Sequence, residues 1–196
     1  MDITYIGQHF CGEKISLGLV ERLNKIIDED QNLIDFSSQL SGKIKKEYDV
    51  QEHLKKADTE NEIPNFISRA NDTYNKDNAF RWDIKFHSAW GNDQREGEYQ
   101  VVHQHSGKSI IGYSSILFLK VPDFGPEFTE TAPPRNGHTV LLGKSGGSLQ
   151  HTYYTIKPVV GDMYVFPYDM EHIVYPFIGK GIRRSISINF DLLYEE

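Results

Sequence analysis

Cysteine is nearly absent. Cys11 stands alone among 196 residues. No intrachain disulfide can form, which fits a reducing compartment. Long apolar runs are missing too, and none approaches the roughly 18 residues that a membrane span needs. The first residues, MDITYIGQHFCGEK, lack the basic start and apolar stretch of a secretory signal. There is no excess of positive charge: 21 Lys+Arg stand against 28 Asp+Glu, for a formal charge of −7. That balance argues against a nucleic-acid binder, because phosphates need clustered cations. No internal repeat or low-complexity segment is present. These absences predict a soluble, cytoplasmic protein with no membrane or nucleic-acid partner. With 38% apolar and 25% charged residues, the chain has the composition of a folded protein. Its length supports one domain over residues 1–196 with a core that needs no staple.

What is there divides near Phe80. Residues 1–79 read as mostly helical. In KISLGLVERLNKIIDED, Ile15, Leu19, Leu23 and Ile26/Ile27 recur at helical spacing. In SSQLSGKIKKEY, Leu40, Ile44 and Tyr48 are four apart behind a Ser37 or Ser38 cap, and this segment also reads as a helix. In IPNFISRANDTYN, Pro64 suits a first turn, and Ile63, Phe66, Ile67, Ala70 and Tyr74 share a face. Each helix has one apolar stripe, as expected of a layer that covers a sheet.

Residues 80–196 break into about eight short β-type runs: WDIKFHSAW, EYQVVHQH, SIIGYSSILFLKV, HTVLLG, HTYYTIK, DMYVF, HIVYP and RRSISINFDLLY. Glycine, proline and aspartate turns separate them. That spacing predicts a β-sandwich or barrel. Two irregular stretches, 122–136 and 143–148, have the length of binding lids; Phe124, Phe128 and Arg135 lie in the first.

Three elements bear on chemistry. His103 and His105 stand at i and i+2 in EYQVVHQHSG, so on a strand both imidazoles leave one face. Neutral imidazoles on an inner wall can share a transition metal, although H-x-H alone reads first as two solvated histidines at a polar strand end. His172 enters another strand in GDMYVFPYDMEHIVYP. It is either a third ligand or a hydrogen-bonded core histidine. His9, His53 and His87 belong to no cluster. In IRRSISINF, alternation puts Arg183, Ser185, Ser187 and Asn189 on one face, and Arg184, Ile186, Ile188 and Phe190 on the other. If the apolar face meets the helices, Arg183 points into the barrel. There a guanidinium takes either a ligand carboxylate, aided by the Ser185 hydroxyl, or a buried Asp or Glu. Arg184 is expected near the sheet edge, its stem packed and its head in water.

Taken together, AWGNDQREGEYQVVHQHSG, SSILFLKVP, GDMYVFPYDMEHIVYPF and GIRRSISINFD resemble the oxygenases that depend on Fe(II) and 2-oxoglutarate. They are most similar to the 2OG-Fe(II) oxygenases of marine phages and bacteria, of prolyl-hydroxylase type. The resemblance covers roughly residues 36–191, with QLSGKIKKEY as a fainter echo. It implies a mainly β (α+β) fold, a double-stranded β-helix or jelly roll with the N-terminal helical layer packed on one sheet. It also implies an H-x-D/E…H metal triad at His103, position 105 and His172, with 2-oxoglutarate held by Arg183, Ser185 and Tyr113. Position 105 is histidine where most of that superfamily has a carboxylate, and Asp93 is a nearby carboxylate that could substitute. The implied activity is hydroxylation of a small-molecule or peptide substrate, using Fe(II), 2-oxoglutarate and O2 and releasing succinate and CO2. Two other functions fit the same residues. One is a cupin-type three-histidine dioxygenase or isomerase without 2-oxoglutarate. The other is a non-enzymatic, phage-associated binding module.

Overall fold

The computed structural model describes residues 8–37, 41–75, 82–126, 135–144 and 152–194. Leu40, Phe80, Phe128 and much of both long loops lie outside these. β1 (Cys11–Lys14) leads to α1 (Leu17–Glu29), which begins where Ser16 Oγ accepts from Leu19 N at 3.2 Å. β2 (Glu47–Asp49), α2 (Gln51–Ala57) and α3 (Glu62–Tyr74) follow. The Asp58 carboxylate receives the first amides of α3, from Glu62 at 2.8 Å and Ile63 at 3.0 Å, a side-chain cap for otherwise orphaned donors.

The strands then run β3 (Trp82–Gln94), β4 (Gln100–His103), β5 (Gly112–Lys120), β6 (Asp123–Phe124), β7 (Thr139–Leu142) and β8 (Tyr153–Ile156). β9 (Asp162–Pro167), β10 (Glu171–Val174), β11 (Gly179–Lys180) and β12 (Arg183–Tyr194) complete them. A six-stranded sheet has the order β1-β9-β5-β12-β3-β2, and a four-stranded sheet the order β4-β10-β7-β8. β6 and β11 form a separate ribbon. From β3 onward the chain shuttles between the two sheets, which is the antiparallel winding of a jelly roll.

The larger sheet has two faces of different character. Ile186, Ile188, Phe190 and Leu192 of β12 join Leu117 and Leu119 of β5 under the helices, against Leu19, Leu23 and Ile27 of α1 and Phe66, Ile67 and Ala70 of α3. The expected helical layer is therefore present on the expected face. Burial of this size is what holds short amphipathic helices in place. The other face looks toward the smaller sheet, with Ile116, Phe118 and Phe166 packed against Leu141 and Ile156. Among the described residues no helix is long and apolar enough to cross a membrane.

The expected helix in SSQLSGKIKKEY is not formed among the described residues of that segment. Its described part is irregular up to β2, and Tyr48 lies in a strand. Two tertiary contacts override the helical spacing. Gly42 has φ 131° and touches the backbone of Tyr99, where a Cβ would stand 2.4 Å from the carbonyl oxygen, and Lys43 N donates to that oxygen at 2.8 Å. Tyr48 OH donates to the buried Asp93 carboxylate at 2.9 Å.

Candidate metal centre and anion site

Strand pairing assembles the histidines. β10 runs antiparallel beside β4, and His172 stands directly opposite His103. His105 follows β4 after one residue, its backbone amide donating to Tyr168 O at 2.9 Å. Ring centroids are 4.2 Å apart for His103 and His172, 4.8 Å for His105 and His172, and 5.3 Å for His103 and His105. One nitrogen from each ring lies within 4.8 Å of the others, and no other such group of His, Cys, Asp or Glu is found among the described residues.

Each ring is oriented through Nδ1. His103 Nδ1 donates to Val101 O at 2.7 Å, and His172 Nδ1 to Met170 O at 3.1 Å. His105 Nδ1 donates to Asn189 Oδ1 at 3.0 Å and also meets Ser114 Oγ at 2.6 Å. A ring whose Nδ1 carries the proton presents Nε2 as a lone pair, the tautomer that ligates metals. Burial pushes all three pKa values down, that of His105 to about 4. The cluster is therefore neutral, as donors to a metal must be. Three imidazoles suit a first-row transition ion rather than Mg2+ or Ca2+.

The same cavity, about 340 Å3, contains Arg183, Ser185, Thr139 and Asn189 beside the histidines. Its volume falls in the range of small-molecule sites. Arg183 is 1% exposed and lies with its guanidinium carbon 4.9 Å from the Phe118 ring centroid. Nη2 donates to Thr139 Oγ1 at 2.9 Å and Nη1 to Ser185 Oγ at 3.4 Å, while Nε has no partner. No carboxylate of the described residues is within ion-pair distance of it, and burial pulls its pKa down to about 9. A buried, unneutralised guanidinium is costly unless a ligand anion completes it.

Three expectations are corrected. Tyr113 does not face the cavity; it lies in the core beneath the helices, and its hydroxyl donates to Asn71 Oδ1 of α3 at 3.2 Å. Parity explains this, because Ser114, not Tyr113, shares the cavity face of β5. Asp93 is not near the histidines on its face of the sheet. It is taken by Arg184, whose Nε donates to Oδ1 at 2.6 Å and Nη2 to Oδ2 at 2.9 Å. Arg184 is not a snorkelling residue: it is 2% exposed, and its Nη1 also donates to Asp28 at 2.8 Å and Asn24 at 3.2 Å. Thr139, Ser114 and Trp90 went unread in the sequence. Only strand pairing brings Thr139 and Trp90 to the cavity and Ser114 to His105, and no spacing signals it.

Comparison with known proteins gives the family. The family model described as "Putative 2OG-Fe(II) oxygenase" matches residues 88–189, just over half of the chain and the span that contains the three histidines and Arg183. The chain belongs to that family of 2OG-Fe(II) oxygenases. Its fold is also that of several solved structures. A Pseudomonas putida prolyl-4-hydroxylase superposes with a TM-score of 0.60 at 15% identity, over 93% of this chain and 92% of that one. HygX from Streptomyces hygroscopicus, solved with nickel, 2-oxoglutarate and hygromycin B, gives 0.62 at 11% identity, over 94% and 83%. A prolyl hydroxylase from Trichoplax adhaerens, in complex with a hypoxia inducible factor peptide fragment, gives 0.59 at 13% identity, over 92% and 82%. No curated protein matches the chain in sequence.

Proposed function

We propose that the protein is an Fe(II)- and 2-oxoglutarate-dependent hydroxylase of a small molecule or peptide. His103, His105 and His172 hold the metal through Nε2, and Arg183 holds the distal carboxylate of 2-oxoglutarate. Ser185 and Thr139 flank that guanidinium; Thr139 takes the place in this reading that Tyr113 cannot fill. The observation that carries the proposal is Arg183, a fully buried cation with no anion among the described residues, in one cavity with the histidine cluster.

Bound Fe(II) with 2-oxoglutarate and O2 supplies oxidative decarboxylation coupled to hydroxylation. The chain's own residues do the positioning. The Val101 and Met170 carbonyls and the Asn189 amide oxygen fix the ring tautomers. The three ring nitrogens, within 4.8 Å of one another, would hold the ion. Phe118 packs against Arg183 and Phe166 against His172, and apolar neighbours of this kind strengthen each charged contact there.

Metal analysis and melting temperature test this reading. One divalent ion per chain is expected in the reconstituted protein, and none in His172→Ala. 2-Oxoglutarate should raise the melting temperature of the metal-loaded protein. If stoichiometry survives His172→Ala, the triad is wrong. If 2-oxoglutarate leaves the melting temperature unchanged, the cosubstrate is wrong.

A further inference from the structure

Resting on the reading above, the charges around the cavity do not cancel. Among the described residues that line it, Arg183 is the one with a fixed charge; none is aspartate, glutamate or lysine. The imidazoles are neutral ligands, each tied at Nδ1 to an uncharged acceptor. A divalent ion and Arg183 bring three positive charges, and 2-oxoglutarate returns two negative ones. A carboxylate at position 105 would close the balance, but His105 leaves one positive charge over. Buried acids stand outside the lining: Asp191 accepts from Tyr168 OH at 3.2 Å and from Ser109 N at 3.2 Å, and Glu47 accepts from Gln100 Nε2 at 3.1 Å. Burial also disfavours the ionised form of Glu47. A residual charge among side chains as buried as Arg183, His172 and Trp90 favours a counter-anion from the next molecule to enter.

An independent feature points to where that anion sits. Trp90 is 6% exposed, and its ring centroid lies 5.3 Å from that of His105. Its Nε1–H has no hydrogen-bond partner. An indole nitrogen is only a donor, so it requires an acceptor. Trp90 pairs with Ser187 in register, whereas Arg183 pairs with Gln94, four residues further along β3. The indole is therefore separate from the place assigned to the distal carboxylate of 2-oxoglutarate. Phe36, Ser41 and Ile44, from the irregular segment ahead of β2, line the same cavity.

We infer that the group this site takes from its substrate is a carboxylate, seated between the three histidines and the Trp90 indole N–H. One negative charge completes the balance, and one carboxylate oxygen satisfies the indole donor.

The test uses the full chain loaded with Co(II) and saturated with 2-oxoglutarate without oxygen, because Co(II) absorption reports on its surroundings. Loading is read first: if Co(II) or 2-oxoglutarate fails to bind, the functional reading falls, and the carboxylate proposal with it. Acetate, acetamide and chloride are then titrated. Acetate should change the spectrum saturably, and the neutral isostere acetamide should not. If acetamide or chloride binds as tightly as acetate, the carboxylate assignment is overturned. In His105→Asp, which restores a negative charge, acetate affinity should fall roughly tenfold. Trp90→Phe, which keeps the ring and removes the donor, should weaken acetate several-fold. If either variant still holds Co(II) and 2-oxoglutarate and binds acetate like the parent protein, the proposed seat is wrong.

Discussion

The two faces of the larger sheet treat buried charge in opposite ways, and the neighbours Arg183 and Arg184 on β12 show it most directly. On the helix face, Arg184 is saturated. Asp93 meets it with two hydrogen bonds, Asp28 and Asn24 add two more, and Tyr48 and Lys46 complete the Asp93 carboxylate. These contacts raise the Arg184 pKa and lower that of Asp93, even against the desolvation that both suffer. On the cavity face, Arg183 has two hydroxyls and, among the described residues, no anion, and its pKa falls to about 9. The acids repeat the pattern. Asp93 has its cation, while Glu47, on the cavity face opposite Asn92, has only the Gln100 amide and rises to about 7. A closed network is a structural element. An open one is a place prepared for something else.

If that contrast is right, the largest effect comes from breaking the closed side. Asp93→Ala leaves Arg184 buried with only Asp28 and Asn24 at its edge. Removing one partner of a buried pair costs roughly 3–5 kcal/mol, and urea unfolding should show a loss of that size. Arg184→Met with Asp93→Leu, which removes both charges, should recover most of it. A single Asp93→Ala loss under 1 kcal/mol would mean that water reaches the pair and that the two faces do not differ as argued.

The second effect is in the pH dependence, and it has opposite signs on the two faces. Asp93 is depressed in the folded state, so its stabilisation is complete above its ordinary 3.8 and fades as pH falls through its lower folded value. Glu47 is raised from 4.5 to about 7. It binds a proton more tightly folded than unfolded, so its contribution is complete below 4.5 and is lost as pH rises through 7. A shift of this size is worth up to about 3 kcal/mol. Glu47→Gln stays neutral and keeps a partner for Gln100. It should flatten stability between pH 5 and 8, the interval of the Glu47 shift, and should be more stable than the parent protein at the upper end. A parent stability that does not fall across that interval would show Glu47 ionised and solvated.

Much of this contrast was legible in the sequence. RRSISINFDLLY is a strand over the same twelve residues that its period-two pattern marks, and its parity separated Arg183 from Arg184. His103, His105 and His172 were readable as a set because spacing and order survive folding. What could not be read depends on partners distant in sequence. Arg184 finds Asp93 and Asp28, respectively 91 and 156 residues away, so a residue that looks like a snorkelling cation becomes the most enclosed ion pair. Tyr113 fails for the reverse reason: it stands on the strand beside β12, but its parity turns it toward the helices. α2 offers only Leu54 and Ala57 to the core, too thin a stripe to mark a helix, and β1 is a short edge strand whose last three residues are exposed. Tyr48 keeps helical spacing with Ile44, yet its hydroxyl is drawn to Asp93.

The third effect concerns the open side. Arg183→Lys keeps the charge and loses the planar fork. With metal bound and oxygen excluded, 2-oxoglutarate affinity should fall by roughly ten- to a hundred-fold, or about 1.5–3 kcal/mol. Arg183→Met, without ligand, should cost far less stability than Asp93→Ala, because no buried carboxylate is left behind. Equal losses for Arg183→Met and Asp93→Ala would erase the distinction between the faces.

The smallest effect separates holding the anion from holding the arginine. Thr139 Oγ1 accepts from Arg183 Nη2 at 2.9 Å, whereas Ser185 Oγ stands at 3.4 Å from Nη1. Thr139 reaches across from β7, so its hydroxyl aims the guanidinium without being part of its strand. Thr139→Val preserves shape and removes that acceptor. Losing one such bond is worth about 0.5–1.5 kcal/mol, a few-fold in 2-oxoglutarate affinity, with metal affinity unchanged. Ser185 makes a longer bond to Arg183, so Ser185→Ala should disturb the ligand-free protein less than Thr139→Val does. Its hydroxyl is free to turn toward the carboxylate, so it should weaken 2-oxoglutarate by a similar few-fold. The two variants thus differ without ligand and converge with it. If Ser185→Ala lowers the melting temperature of the ligand-free protein as much as Thr139→Val and leaves 2-oxoglutarate affinity intact, Ser185 serves the arginine, and the carboxylate is held by Arg183 alone.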